Sequence, residues 1–428
     1  AHTDQAKQAG QTEQALLSDA SKRHDTRMAA QTLSMLAAQA LIQDRFSEAL
    51  RDLDRATPLV KQSRDVALQV QIALNAAAAA ANLKQMDRAT SELAHARNLI
   101  ADHHLRNKEG DLHNTESFVA FARGDYAAAE KADRAAIDAA ITLGDQTDAM
   151  VNLYNLGSST LQAGRPMEAL PLLVAARQRG QELGNKQVWF YSINDLTNIL
   201  LDAGLEQRAR PLIEQMLKTS AQQGIAIWHG WALGARSSYE TLENHYAKAL
   251  LDSRKAVTLI DAKEDPGDWL GQQLETAQLA LSIDPTSLTA LAQQVDATIA
   301  AQPRPEQYAY RRYLTRALAA AARHDADGAH TALQQAAALP HPDDPGGNDL
   351  RRASFTIAVA NHDAEAARIA LQGFDAERCK AAGVLRLAEQ WARQNHDRAS
   401  VKRFGQRQAA LQKTALAALR QAGMGTQP

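Results

Sequence analysis

The sequence runs to 428 residues, enough for two or three globular domains or one long repeat array. Its 47 basic and 49 acidic residues are well mixed and leave a formal net charge of −2, so no basic block is present to neutralise nucleic-acid phosphates. Apolar runs fall short of the ~20 residues of a membrane span, and a single cysteine, Cys379, excludes an internal disulfide framework and a multi-cysteine zinc site. Valine and isoleucine are sparse beside Ala, Leu, Gln, Arg, Glu and Asp, a helix-forming mixture that predicts an all-α chain.

The first predicted element is short. Ala9 begins a column spaced by forty: Ala9, Ala49, Ala89, Ala129, Ala169, Ala209 and Ala249, with Ala329 after a break at Thr289. Its register makes residues 4 to about 22 the second helix of a pair. A second helix without its first suggests a cap or a chain cut inside a larger protein, and the lack of an initiator Met at Ala1 suggests that a signal peptide or a larger partner segment has been removed.

From there the chain reads as repeated units of helix, turn, helix and turn. Two glycine ladders mark the turns: Gly124, Gly164 and Gly204 end one set of helices, and Gly144, Gly184 and Gly224 the other. Glycine enters the left-handed conformation that stops a helix without a Cβ penalty. Leu53, Leu93, Leu173 and Ile213 follow the alanine column by four residues, and Ala56, Ala96, Ala136, Ala176 and Ala256 by seven, so all lie on one helical face.

The stretch LYNLGSSTLQAGRPMEALPLLVAA, residues 153 to 176, resembles a tetratricopeptide repeat. Leu156-Gly157 match its Leu-Gly pair, and Gly164, Ala169, Leu173 and Ala176 match its turn and the small-large pattern of its second helix. Leu153 and Thr160 stand where the family often has Trp and Tyr, and the closing Pro is missing. A forty-residue unit is similar to long-helix variants in bacterial regulators and sensors. The resemblance implies a right-handed α-solenoid, or superhelix, of about ten antiparallel helix pairs, with residues 1–262 a regular array and 263–428 degenerate pairs continuing it.

The C-terminal stretch bears further turn signals. SIDPTSLTAL (282 to 291) is a turn and a new helix, LPHPDDPGGND (339 to 349) is loop-like, and the tail GMGTQP is expected to fray. His324, His362 and His396 stand in RHD, NHD and NHD; His324 and His362 occupy the turn slot that Gly124 fills, and all three read as turn or cap residues rather than metal ligands. Arg304, Arg311, Arg312 and Arg316 surround Tyr308, Tyr310 and Tyr313, a solvated helix face or a seat for an acidic segment. No phosphate loop, nucleophile elbow or metalloprotease motif is present, and no cofactor or metal is expected. An α/α-barrel enzyme would require an inward carboxylate pair that the repeat slots do not supply.

In tetratricopeptide arrays the first helix of each pair lines a concave groove, as the resemblance implies. The forty-residue columns on those helices collect Asn114, Phe118, Tyr154, Tyr191, Asn194, Asn198, Trp231 and Ser238. Asn amides donate and accept, so they suit an extended peptide backbone, and aromatics add contact area at low rotamer cost. The same spacing divides VWFYSIND (188 to 195): Tyr191 faces the groove, Phe190 packs between helices and Trp189 lies at the rim. The function expected is a non-catalytic scaffold for a protein or peptide segment, the regulatory or sensor part of a larger bacterial signalling protein. The alternative is a structural scaffold for an envelope or multiprotein complex, with Arg311 and Arg312 at its contacts. Cytoplasm and periplasm both remain open, as does oligomeric state.

Overall fold

A computed structural model describes residues 15, 17–20, 22–23, 25–42, 45–263, 265–302, 304–340, 344 and 347–424. Most of the expected N-terminal helix, part of the 339–349 loop and the end of the tail lie outside them. Every regular element among the described residues is helical. The chain divides into two compact units, 1–165 and 166–428.

In the first unit, α1 (Thr26–Ile42), α2 (Phe46–Ser63), α3 (Val66–Asn82), α4 (Met86–Asp102), α5 (Glu109–Arg123), α6 (Tyr126–Leu143) and α7 (Gln146–Gln162) follow one another in antiparallel sequence. Consecutive helices pack, and first helices also stack on first helices: α1 on α3 and α3 on α5. The second unit holds α8 (Pro166–Glu182), α9 (Lys186–Asp202), α10 (Glu206–Gln223), α11 (Ala226–Leu242), α12 (Tyr246–Leu259), α13 (Pro266–Ile283) and α14 (Leu288–Ala300). It continues with α15 (Ala309–Ala322), α16 (Ala326–Ala337), α17 (Asn348–Asn361), α18 (Ala364–Leu371), α19 (Ala382–Gln394) and α20 (Arg398–Gln421).

The alanine column explains the close stacking. Ala49, Ala89, Ala129, Ala169, Ala209, Ala249 and Ala329 are all fully buried, as are the alanines seven residues on. A methyl at the contact lets helix axes approach toward the short end of the ~8–10 Å range. Leu53, Leu93, Leu173 and Ile213 are buried one turn later. Thr289, where the column breaks, is exposed, and Leu288, Ala292 and Val295 are buried in its place.

The turns repeat at half the period. Arg64, Lys84, His104, Gly124, Gly144, Gly164, Gly184, Gly204, Gly224 and Asn244 stand every twenty residues, and all have φ between 53° and 80°. His324, His362 and His396 adopt the same conformation, at 57°, 54° and 58°. At most of these turns the next residue begins the following helix. After Gly124, Asp125 donates its N–H to the Ala120 carbonyl while its carboxylate accepts from the Ala128 N–H. Asp325, Asp363 and Asp397 repeat this after the histidines. The RHD and NHD triplets are therefore a helix stop joined to a helix start.

The second unit closes on itself. α20 packs against α8, and α19 reaches α9. Leu411 and Ala415 of α20 bury against Ala203, with Met167 and Leu205 alongside. Arg386 of α19 donates to the Leu242 carbonyl at 2.7 Å and to Glu206 at 2.9 Å, and Gln412 donates to the Gly204 carbonyl at 2.7 Å.

Candidate functional site

The expected groove residues fall in both units, and each set is described within its own. In the first unit, Asn114 and Phe118 are exposed on α5, with Phe118 at 39 %. The Asn155 amide donates to the Asn114 Oδ1 at 3.2 Å. Tyr154 on α7 is half-buried.

In the second unit the expected residues gather more closely. α9 starts cleanly because Gly184 ends α8 in the left-handed conformation and the Asn185 side chain accepts the Val188 N–H at 3.0 Å. A Cβ at Gly180 would lie 2.9 Å from the Trp189 nitrogen, so only glycine lets α8 come this close to the start of α9. Phe190 is fully buried and stacks on Trp228 with centroids 4.3 Å apart and planes within 8°. That pair forms the floor. Tyr191 and Trp231, both half-buried, lie above it 5.8 Å apart at 59°. Gln187 donates to the Tyr191 hydroxyl at 3.2 Å.

Asn194 and Asn198 continue the stripe along α9 at three- and four-residue steps, Asn194 half-buried and Asn198 exposed. The Asn194 amide nitrogen lies a long 3.5 Å from Asp195 Oδ1. Ser238, two turns beyond Trp231 on α11, is half-buried.

Carboxylates that sequence reasoning missed complete this surface. The Trp231 indole donates to Asp268 Oδ2 at 2.7 Å. Loss of water and the neighbouring Asp265 push Asp268 up to about 6, against that hydrogen bond. Asp202, one turn beyond Asn198, is exposed to solvent yet crowded by neighbouring protein. That crowding pushes it up to about 6, with Arg352 opposing and Asp349 and Glu275 adding to it. Arg352 is itself bonded to Glu275 at 2.7 Å. As the last residue of α9, Asp202 also sits at the negative end of a helix dipole. A fourth column, four residues after Asn198, would have found it. Glu275, Asp349 and Arg352 come from helices beyond the regular register and carry no such signal.

The arginine-tyrosine cluster is paired internally. Arg312 and Arg316 share Asp296 at 2.7 and 2.8 Å, and Arg311 donates to the Gly267 carbonyl at 2.7 Å. The Tyr310 hydroxyl donates to the buried Asp344, whose carboxylate also accepts the Asn348 and Asp349 N–H groups. These arginines are engaged within the fold rather than held out for an acidic segment. Cys379 is buried, which pushes its thiol pKa up and disfavours the thiolate. Among the described residues, no three His, Cys, Asp or Glu side chains gather closely enough to hold a metal ion.

The fold and this face define an α-helical repeat protein with a polar, aromatic surface on its first helices. The crystal structure of the apo form of RapI is similar: TM-score 0.57, 9% identity, 92% of this chain and 99% of that one covered. A Rap protein complexed with competence and sporulation factor matches at TM-score 0.49 and 11% identity, covering 90% of this chain and 99% of that one. At such identities the likeness to RapI is one of fold. No protein-family model and no curated protein matches the sequence.

Proposed function

We propose that this chain is a non-catalytic scaffold that captures an extended peptide or partner segment, serving the regulatory or sensor part of a larger bacterial signalling protein. The observation that carries the reading is the α9 stripe: Tyr191, Asn194, Asn198 and Asp202 on one helical face, with Trp231 of α11 against Tyr191. Half-buried rings over a fully buried Phe190 offer apolar area already fixed in place, and the Asn amides supply donors and acceptors for a peptide backbone. Such a rigid platform costs little ordering on binding. The fold likeness to RapI supports a helical-repeat scaffold and is silent on the partner.

The test is partner capture with the purified chain, compared with Asn194→Ala/Asn198→Ala. Both side chains lie at the surface, so the double variant is expected to fold and to lose at least about ten-fold in affinity. Unchanged capture removes the groove assignment. The scaffold-for-assembly alternative is less favoured, because Arg311 and Arg312, its expected contacts, are committed to Gly267 and Asp296. Turnover on a glycan panel, abolished by Asp202→Asn or Glu275→Gln, would replace the scaffold reading with an enzyme.

A further inference from the structure

A cavity of about 70 Å³ lies among α5, α6 and α7 of the first unit, away from Tyr191 and Trp231 in sequence and in function. Part of its lining is apolar: Ala136, Ala140 and Leu143 from α6, and Val151 from α7. The rest is rich in acceptors, with Asp111 and Asn114 on α5, Asp145 at the cap of α7, and Asp148 and Asn152 on α7. Asn152 is 3% exposed, and its Nδ2 donates to the Asp148 carbonyl at 2.9 Å, while its Oδ1 is buried with no partner. A buried amide oxygen left without a donor is costly, by about 1–3 kcal/mol. Burial, Asp145 and Asp111 together push Asp148 above the ordinary carboxylate range. Lys108, which pulls Asp148 the other way, is bonded to Asp111 at 2.8 Å.

This lining carries no cationic side chain, its side-chain donors are the amides of Asn107, Asn114 and Asn152, and among the described residues its carboxylates do not gather closely enough to hold a metal ion. Its apolar wall is of no use to water, yet it suits a short methylene chain. We propose that the cavity binds a primary alkylammonium group, methylenes along Ala136, Ala140 and Val151, with the ammonium donating to Asn152 Oδ1 and the Asp148 carboxylate. A lysine side chain and a free diamine share that chemistry. The inference stands apart from the groove reading, although Asn114 is also one of the residues expected from the sequence to line a groove.

Calorimetric titration of the full chain at constant ionic strength, with 1,5-diaminopentane in one arm and Nα-acetyl-lysine methylamide in the other, tests it. Saturable binding of either amine is expected, and the tighter arm identifies the source. Asp148→Asn, a surface change that leaves the Asp145 cap intact, is expected to weaken binding at least about ten-fold. Ala140→Leu should abolish it by filling the cavity, and Tyr191→Ala should leave it unchanged, which separates this site from the groove. Absence of saturable binding by both amines overturns the proposal. So does equal binding of Nα-acetyl-norleucine methylamide, or undiminished affinity in Asp148→Asn.

Discussion

At the residue scale the left-handed turn slot decides most of the local geometry. Ten successive slots from Arg64 to Asn244 share one backbone conformation, yet only six hold glycine. An L-residue with a Cβ pays roughly 1–2 kcal/mol there, and glycine returns part of that through its looser unfolded state. Arg64 has φ 57° and an exposed side chain. Arg64→Gly is therefore expected to stabilise by about 0.5–1 kcal/mol, and Gly144→Ala to destabilise by about 1 kcal/mol. No atom lies within 4 Å of the Cβ that Gly144→Ala adds, so its cost is backbone strain alone. Urea midpoints at constant slope read both, and a shift of the opposite sign in either would refute the slot argument. The glycine ladders were legible in the sequence because the residue type reports the conformation. Arg64 and Lys84 were not, since their types carry no turn signal. Lys84 is held by carbonyl bonds of the same kind, and Arg64 is flanked by the Ser63 hydroxyl, which accepts the Asp65 N–H, and by the Asp65 cap.

At the element scale the informative positions are those where a helix departs from its repeat. Position 133 falls in the column that holds Leu53, Leu93, Leu173 and Ile213, and there α6 carries an aspartate instead. Asp133 is fully buried, takes the Ser159 hydroxyl at 3.1 Å on Oδ2, and leaves Oδ1 without a partner. Burial pushes it up to about 6, against the pull of Ser117 and Ser159. The folded chain thus holds this proton more tightly than the unfolded one, where an ordinary value near 3.8 applies. Above about pH 6 the folded state bears an ionised buried carboxylate at a cost of roughly 3 kcal/mol; below about pH 4 both states are protonated and the cost vanishes. Stability carried by this site should fall as pH rises from about 4 to about 6. Asp133→Asn should flatten that slope and stabilise the first unit at pH 8, as urea unfolding at a series of pH values would show. An identical slope in the variant would mean that other groups carry it. The aspartate was visible in the sequence as a gap in a leucine column, and its two serine partners were not, because they come from the neighbouring helices α5 and α7. The α9 stripe divides the same way: Tyr191 and Asn194 follow from spacing, whereas Asp268 beneath Trp231 is a contact between separate helices.

At the scale of the second unit, the sequence suggested degenerate pairs continuing an array, and the structure brings the last helix of the unit onto its first. In an open array each repeat touches only its neighbours, so terminal pairs fray first. Here α20 covers α8 and bonds the turn that ends α9, and α19 is tied to the end of α11 and the start of α10. Gly204 serves this junction as well as its own turn: a Cβ there would meet Ala382 at 3.2 Å and Gln412 at 3.3 Å. None of this was legible, because the contacts join residues 144 to 208 positions apart and leave no local pattern. Arg386 is the central fastener, since one guanidinium serves both the Leu242 carbonyl and the Glu206 carboxylate, whose Oε2 already lacks a partner. Arg386→Ala leaves a partly buried carboxylate and a carbonyl unpaired, a loss of about 2–3 kcal/mol. The distinguishing readout is where protection is lost. In a closed unit, amide hydrogen exchange should rise together in α8 and α20, which are far apart in sequence, with α13 and α15 little changed. If exchange rises only in α19 and α20, the C-terminal pair is a free end resting on its neighbour, and the closure does not couple the two ends of the unit. Joint loss would mean that the turn after Asp202, and with it the lower end of the α9 stripe, is held by the last two helices of the chain.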